Sequence, residues 1–210
     1  GSVDPEGTVS IIDLAQGVAS ASVRSVDFRA FSRDTLNSQG IRVFGPGATA
    51  AQDLEPEYIT VQGRTAWVTL QEANAVAVID VPTATVQEIL PLGLKDHSQP
   101  ANALDPSDQD SGTGAAAIRI AEWPVFGMYQ PDAIASYRVG NQRFLVTANE
   151  GDSRDYPNFS EEVAVRSGTY VLDPTVFSNA ADLKKIEALG RLTVTNASGD
   201  LDGDGDFDQI

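Results

Sequence analysis

Residues 57–86, EYITVQGRTAWVTLQEANAVAVIDVPTATV, constrain the fold more than any other stretch of the chain. Short runs of Val, Ile, Thr and aromatic residues alternate with polar or glycine-containing turns, the pattern of an antiparallel meander. Strands are expected at Tyr58–Val61, Ala66–Leu70, Ala75–Asp80 and Val86–Leu90. The turns between them are Gln62-Gly63-Arg64, Glu72-Ala73-Asn74 and Thr83-Ala84-Thr85. Four antiparallel strands in about 35 to 40 residues make one blade of a β-propeller.

The pattern recurs. Gln130-Pro131-Asp132-Ala133-Ile134-Ala135 parallels Glu55-Pro56-Glu57-Tyr58-Ile59-Thr60, and Phe144 to Glu150 parallels Ala66 to Glu72. The offset is 75 residues at the prolines and 78 at the Val-Thr pairs, about two blade lengths. Glu6 to Leu14 matches Asn74 to Val81, and Ser167 to Asp173 reads as a fourth copy. Asn179 to Leu189, followed by Gly190, has helical spacing and a C-cap glycine, so one short inserted helix is expected there. The fold class is therefore all-β, a propeller with four-stranded blades. Residues 1–210 form part of one such domain, with a long polar insert at 93–127 containing Asp105, Asp108, Asp110 and Gly112-Thr113-Gly114. Loops of that length are usually functional or mobile. Propellers close with 4 to 8 blades, and an open arc leaves strand edges bare. The expectation is an incomplete, N-terminal part of a propeller whose remainder, in the same protein or a cleaved partner chain, completes it.

Charge narrows the function. Fourteen basic residues face 30 acidic ones, for a net charge of −16. Such a surface repels nucleic-acid phosphates and anionic membranes and attracts cations, so no nucleic-acid partner is expected. There is no cysteine, which excludes disulfides, thiolate catalysis and zinc–thiolate sites. No apolar run reaches the roughly 18 residues of a membrane span. Gly1-Ser2-Val3-Asp4 carries no signal-peptide pattern; Gly1-Ser2 suits a cloning scar, and a signal peptide removed earlier is equally consistent.

The sharpest chemical motif is Asp200-Leu-Asp-Gly-Asp-Gly-Asp-Phe-Asp208. Asp200, Asp202 and Asp204 occupy positions 1, 3 and 5 of an EF-hand-type loop, Gly205 position 6, Asp206 position 7 and Asp208 position 9. Closely spaced carboxylates on a glycine turn can converge on a hard cation, and without one they repel. The alternative is a solvated acidic linker. Position 12, normally a bidentate Glu, falls past Ile210. The expected cofactor is Ca2+, with Kd on the order of 10⁻⁴ to 10⁻³ M.

A second candidate site is Asn149, Glu150, Asp152 and Asp155, which surround Gly151 and Arg154 after a strand. It reads either as a cation or ligand loop, or as a polar turn in which Arg154 pairs with a carboxylate. Glu55, Glu57 and Glu72 lie at strand ends, where propeller loops face the central channel, and are expected to cluster. His97, the only histidine, has Asp96 and Ser98 beside it; sequence neighbours do not make a triad, and a solvated loop histidine is the simpler reading. There is no phosphate-binding glycine loop, HExxH helix or nucleophile elbow. Asn158-Phe-Ser160 and Asn196-Ala-Ser198 are glycosylation sequons, meaningful in a secretory setting.

Asn74-Ala-Val-Ala-Val-Ile-Asp80 with Trp67-Val-Thr69 resembles the YVTN-type propeller repeat of surface-layer proteins. Four longer runs carry a closer likeness: Gly45 to Tyr58, Ala66 to Glu72, Trp123 to Ala133 and Thr147 to Asp152. Together they resemble the choice-of-anchor I family, which includes relatives of the mesenchyme-specific cell surface glycoprotein of echinoderm biomineralisation. The resemblance implies a longer, secreted or cell-surface propeller, extracellular or periplasmic, with surface or matrix partners and the Asp loop in its interior. It carries no catalytic motif. The leading expectation is a calcium-binding scaffold, adhesion or matrix protein without catalysis. The alternative is a calcium-dependent, phosphatase- or phytase-like phosphoesterase acting in the channel, with Lys95, Arg119 and Arg154 as its nearest cations.

Overall fold

The computed structural model describes residues 4–111 and 114–210. The N-terminal tripeptide Gly1-Ser2-Val3 and Gly112-Thr113 of the insert lie outside the described residues. The strands are β1 (Thr8–Asp13), β2 (Ser22–Asp27), β3 (Pro56–Gln62), β4 (Thr65–Leu70), β5 (Ala75–Asp80), β6 (Thr85–Pro91) and β7 (Leu94–Asp96). They continue with β8 (Phe126–Met128), β9 (Pro131–Val139), β10 (Gln142–Asn149), β11 (Asp155–Tyr156), β12 (Phe159–Ser160), β13 (Glu162–Ala164) and β14 (Thr193–Thr195). Three short α-helices are described, α1 (Arg33–Ser38), α2 (Ala50–Asp53) and α3 (Ala180–Leu183), with single 3-10 turns at Val18–Ser20 and Pro100–Asn102. The protein is thus mostly β, in small sheets that do not close on themselves. It divides into two compact units, residues 1–93 with 128–152, and residues 94–127 with 153–210.

The first unit is built around one four-stranded antiparallel sheet, β3-β4-β5-β6. All four strands expected from the sequence are present. Ala66, Val68 and Leu70 of β4 and Ala75, Ala77 and Ile79 of β5 face one way, all 4% exposed or less. They pack against Val9 and Val26 of the β1–β2 hairpin and against Phe28, Leu36 and Leu54 of the segment that follows it. Trp67, Val76 and Val78 face the other way and pack with Ile134 of β9. Both faces of the central strands are therefore buried, which is why β4 and β5 read as near-continuous apolar runs rather than as alternating ones. The hydroxyls of Thr60 and Ser136 lie 3.0 Å apart, and the Ser136 amide donates to Thr60 Oγ1, joining β3 to β9.

The repeat seen in the sequence is structural. Glu55 and Gln130, each preceding the proline that opens β3 or β9, both adopt φ 39°, a left-handed conformation that costs a non-glycine residue energy. Gly63 and Gly140 open the two-residue turns of the β3–β4 and β9–β10 hairpins at φ 66° and 61°. The offset is 75 residues at the prolines, 77 at these glycines and 79 at their ladder partners, Leu70 opposite Pro56 and Asn149 opposite Pro131. The second hairpin is the first with two residues added to each strand, which is why the Val-Thr offset of 78 falls between them.

The second unit has a different character. β7 pairs with β8, and the insert between them is folded: Leu104 bridges Ala121, the Arg119 amide donates to Asp105, and the Ala117 amide donates to Asp110. Asp108 receives two hydrogen bonds from Arg191, at 2.6 and 3.2 Å. β11 pairs with β12 and β13 with β14. Val125, Val165, Tyr170, Leu172, Phe177 and Leu189 form the core. Two expectations are corrected here. Ser167 to Asp173 is not a strand copy; it is a turn with a single parallel bridge, Leu172–Phe207, because Tyr170 and Leu172 are drawn into this local core instead of a ladder. The helix foreseen over 179–189 shrinks to Ala180–Leu183, and α1 and α2 were not foreseen. Both lie in polar or small-residue stretches where the capping residues Ser32 and Thr49, not apolar periodicity, mark the start.

Asn74 ties the start of β5 to the entry of β9. It is 1% exposed, sits at φ 51°, accepts from the amides of Tyr129 (3.0 Å) and Gln130 (3.1 Å), and donates to the Gly93 carbonyl (2.8 Å). Asn74→Ala strands these groups and places a Cβ residue without a compensating amide at positive φ. A loss of about 2–4 kcal/mol in urea unfolding is expected; a change below about 0.5 kcal/mol contradicts the clamp.

Candidate cation site and the acidic surfaces

The Asp loop is seated on the core of the second unit. The Phe207 amide donates to the Val171 carbonyl and the Asp173 amide to the Phe207 carbonyl, while the Phe207 ring stacks on Tyr170 with centroids 4.1 Å apart. The Asp208 and Gln209 amides both donate to Gly199, and Ile210 is buried. Between these anchors the backbone turns tightly. Gly199, Gly203 and Gly205 stand at φ 108°, 80° and 100°, which L side chains rarely adopt. Within the turn the carboxylates accept backbone amides: Asp200 from Gly203 (2.7 Å) and Gly205 (3.1 Å), Asp202 from Asp204 (3.2 Å), Asp204 from Asp206 (3.1 Å), and Asp208 from Leu201 (2.7 Å).

The result is convergence. Asp200, Asp202 and Asp208 each offer one oxygen, all within 4.8 Å of one another. That spread suits oxygens arranged around one ion at about 2.4 Å from each. Among the described residues no other group of three His, Cys, Asp or Glu side chains converges in this way. Asp204 and Asp206 lie beside the trio rather than in it. Asp206 is held above the usual carboxylate range by desolvation first and then by the charges of Asp204, Asp173 and Asp208.

Asp173 was not singled out in the sequence. The Leu172–Phe207 bridge brings it next to the loop, where its charge acts on Asp206. Its carboxylate accepts from the amide and hydroxyl of Thr175 at 2.6 and 2.7 Å, and this keeps it below the usual range. The only signal available was Asp173-Pro-Thr175 itself, an Asx-turn pattern common in surface turns.

The second candidate set divides. Asn149, Glu150 and Asp152 belong to the first unit and Asp155 to the second. Asn149 accepts from the Thr147 hydroxyl, Glu150 is exposed, and Asp152 is held by the Gln130 side chain, whose Nε2 donates to the Asp152 carbonyl at 2.6 Å. Arg154 is buried, with its backbone amide on the Glu161 carboxylate. The acids at the strand ends do gather. Glu57 is pushed up to about 7 by desolvation and then by Glu72, Asp132, Asp152 and Glu55. His97 turns Nδ1 to the Asn102 carbonyl at 2.6 Å, while Asp96 is occupied by Ser98 and Gln99, so no catalytic triad forms there.

The choice-of-anchor I domain matches residues 1–210, and the chain belongs to that family. The membership points to a surface-anchored or extracellular protein. No curated protein and no solved structure matches the chain. No helix among the described residues is long and apolar enough to cross a membrane.

The Glu57 cluster gives a pH dependence of known sign. Its folded value, about 7, lies above the ordinary 4.5, so the folded state holds the extra proton between these limits. Stability is therefore highest below pH 4.5 for this group and falls as pH rises towards 7. Glu57→Gln should flatten that limb of the melting-temperature profile at low salt and raise the melting temperature above pH 7. The part of the shift that comes from Glu72, Asp132, Asp152 and Glu55 is charge repulsion, so added salt should shrink the difference. Identical profiles for variant and wild type would refute the cluster.

Proposed function

We propose that this chain is a blade-bearing part of a calcium-binding β-propeller displayed outside the cytoplasm, serving as a scaffold, adhesion or matrix element without catalysis. The observation that carries the reading is the convergence of Asp200, Asp202 and Asp208 on one point of a glycine-turned loop. Bound calcium supplies charge neutralisation and cross-linking of the loop. Asp200, Asp202 and Asp208 would hold it, and Asp173, Asp204 and Asp206 add negative charge around it.

The propeller reading is supported by the order of sheets in the first unit. The β1–β2 hairpin, the β3–β6 sheet and the β9–β10 hairpin stack face to face through apolar side chains, as consecutive blades do. Family membership and the charge of −16 support an extracellular or periplasmic setting with surface or matrix partners, the rest of the propeller among them. A phosphoesterase finds less support. Of the three cations nearest the loops, Arg154 is buried, and the exposed Arg119 is already engaged with the Asp110 carbonyl, whereas Lys95 is exposed.

Calorimetric titration with calcium should give one site with Kd on the order of 10⁻⁴ to 10⁻³ M. Saturation at about 100 times Kd should stabilise the fold by about 2.7 kcal/mol. Asp200→Asn/Asp208→Asn should abolish both effects while leaving the ion-free melting temperature equal or higher, since it removes repelling charges. Undiminished binding in that variant would place the ion elsewhere. Calcium-dependent turnover of phosphate monoesters would overturn the non-catalytic reading.

A further inference from the structure

The carboxylate trio is not the product of the glycine turn alone. Asp200 and Asp202 stand in the turn, but Asp208 lies past Phe207, and both of its chain neighbours are held by the core of the second unit. The Phe207 amide donates to the Val171 carbonyl at 2.8 Å, and the Phe207 carbonyl accepts from the Asp173 amide at 3.1 Å. The Phe207 ring lies on Tyr170, 4.1 Å between centroids and 23° between planes. Tyr170 is itself 1% exposed, and its hydroxyl donates to the Gln209 carbonyl at 3.3 Å. One aromatic ring therefore touches the residue before Asp208 and bonds the residue after it.

Seated in this way, Asp208 faces the entry of the loop. Its amide and that of Gln209 donate to the Gly199 carbonyl at 2.9 and 3.0 Å, and its carboxylate accepts from the Leu201 amide at 2.7 Å. Entry and exit press together only because residue 199 has no side chain. A Cβ there would stand 2.6 Å from the Gln209 carbonyl oxygen and 3.3 Å from the Phe207 ring, at φ 108°. Charge works against the closure, since Asp173, Asp204 and Asp208 all act on Asp206. Aromatic packing supplies the opposing force, and a stacked pair contributes about 0.5–1.5 kcal/mol beyond its buried area.

We propose that Phe207, seated on Tyr170, is the positioning residue of the calcium site, so that ion binding and seating of the loop's exit on the core are one coupled equilibrium. This coupling rests on the calcium reading proposed above and adds that the affinity is set from outside the acidic motif. Phe207 touches no ion; it acts through Asp208. Linkage makes the effect reciprocal: the factor by which seating raises calcium affinity is the factor by which calcium favours the seated exit.

Calorimetric titration with calcium of the wild type, Phe207→Leu and Phe207→Tyr tests one direction. Leucine keeps an apolar side chain but loses the stack, and should weaken Kd by about fivefold or more. Tyrosine keeps the ring and should bind as the wild type does. A Phe207 that merely supported the fold would lower the melting temperature and leave Kd, measured below it, unchanged. Hydrogen exchange of the unaltered chain tests the other direction and decides even where a substitution unfolds the second unit. Saturating calcium should slow the Phe207 and Asp173 amides by about fivefold or more, and leave those of β4 and β5 alone. Equal Kd in wild type and a folded Phe207→Leu, or unchanged exchange at Phe207 and Asp173 in a chain that binds calcium, would overturn the coupling and leave the site standing. No calcium binding by the wild type would overturn the site itself, so the two failures are distinct.

Discussion

The structure depends on burying β4 and β5 on both faces at once. A lone antiparallel sheet can leave one face in water, and its strands then alternate apolar and polar. Here Ala66, Val68 and Leu70 need the β1–β2 hairpin and its following segment, while Trp67, Val76 and Val78 need β9. The sheet is stable only as the middle layer of a stack. Ala75 and Ala77 present small side chains to the layer on one face, and Trp67 packs on the opposite face with Ile134 of β9. Asn74 then fixes the spacing by carrying hydrogen bonds from one layer to the next.

The two-faced burial also explains what could be read from the sequence. Strands β3 to β6 were legible because turn residues cut the chain at regular intervals, and the paired prolines marked the repeat. The left-handed residues before those prolines were not legible, since neither Glu55 nor Gln130 favours that conformation on its own; their surroundings impose it. The second unit was read less well. Ser167 to Asp173 has the composition of a strand, but Tyr170 and Leu172 gain more by packing with Val165, Phe177 and Leu189 than by joining a ladder. The same choice delivers Asp173 to the Asp loop across 27 residues of chain that contain no hint of it.

The loop itself was the most legible chemical feature, because its logic is local: carboxylates at alternate positions and glycines where the backbone must turn back. Three of the five expected acids converge, and two stand beside them as added charge. Crowding of Asp173, Asp204, Asp206 and Asp208 raises the cost of the ion-free state, a cost that the proposed divalent cation would relieve directly. The acids around Glu57 face the same repulsion without convergent geometry, so they answer with a proton instead.

The central claim is that calcium occupies the Asp200–Asp208 loop, and amide NMR during a calcium titration tests it most directly. The Gly203 and Gly205 amides, both bonded to Asp200, and the Leu201 amide, bonded to Asp208, should shift together along one saturating curve. Amides of β4 and β5 should stay in place. Shifts that gather around Glu150 and Asp152, or a loop whose amides do not respond at millimolar calcium, would contradict the account.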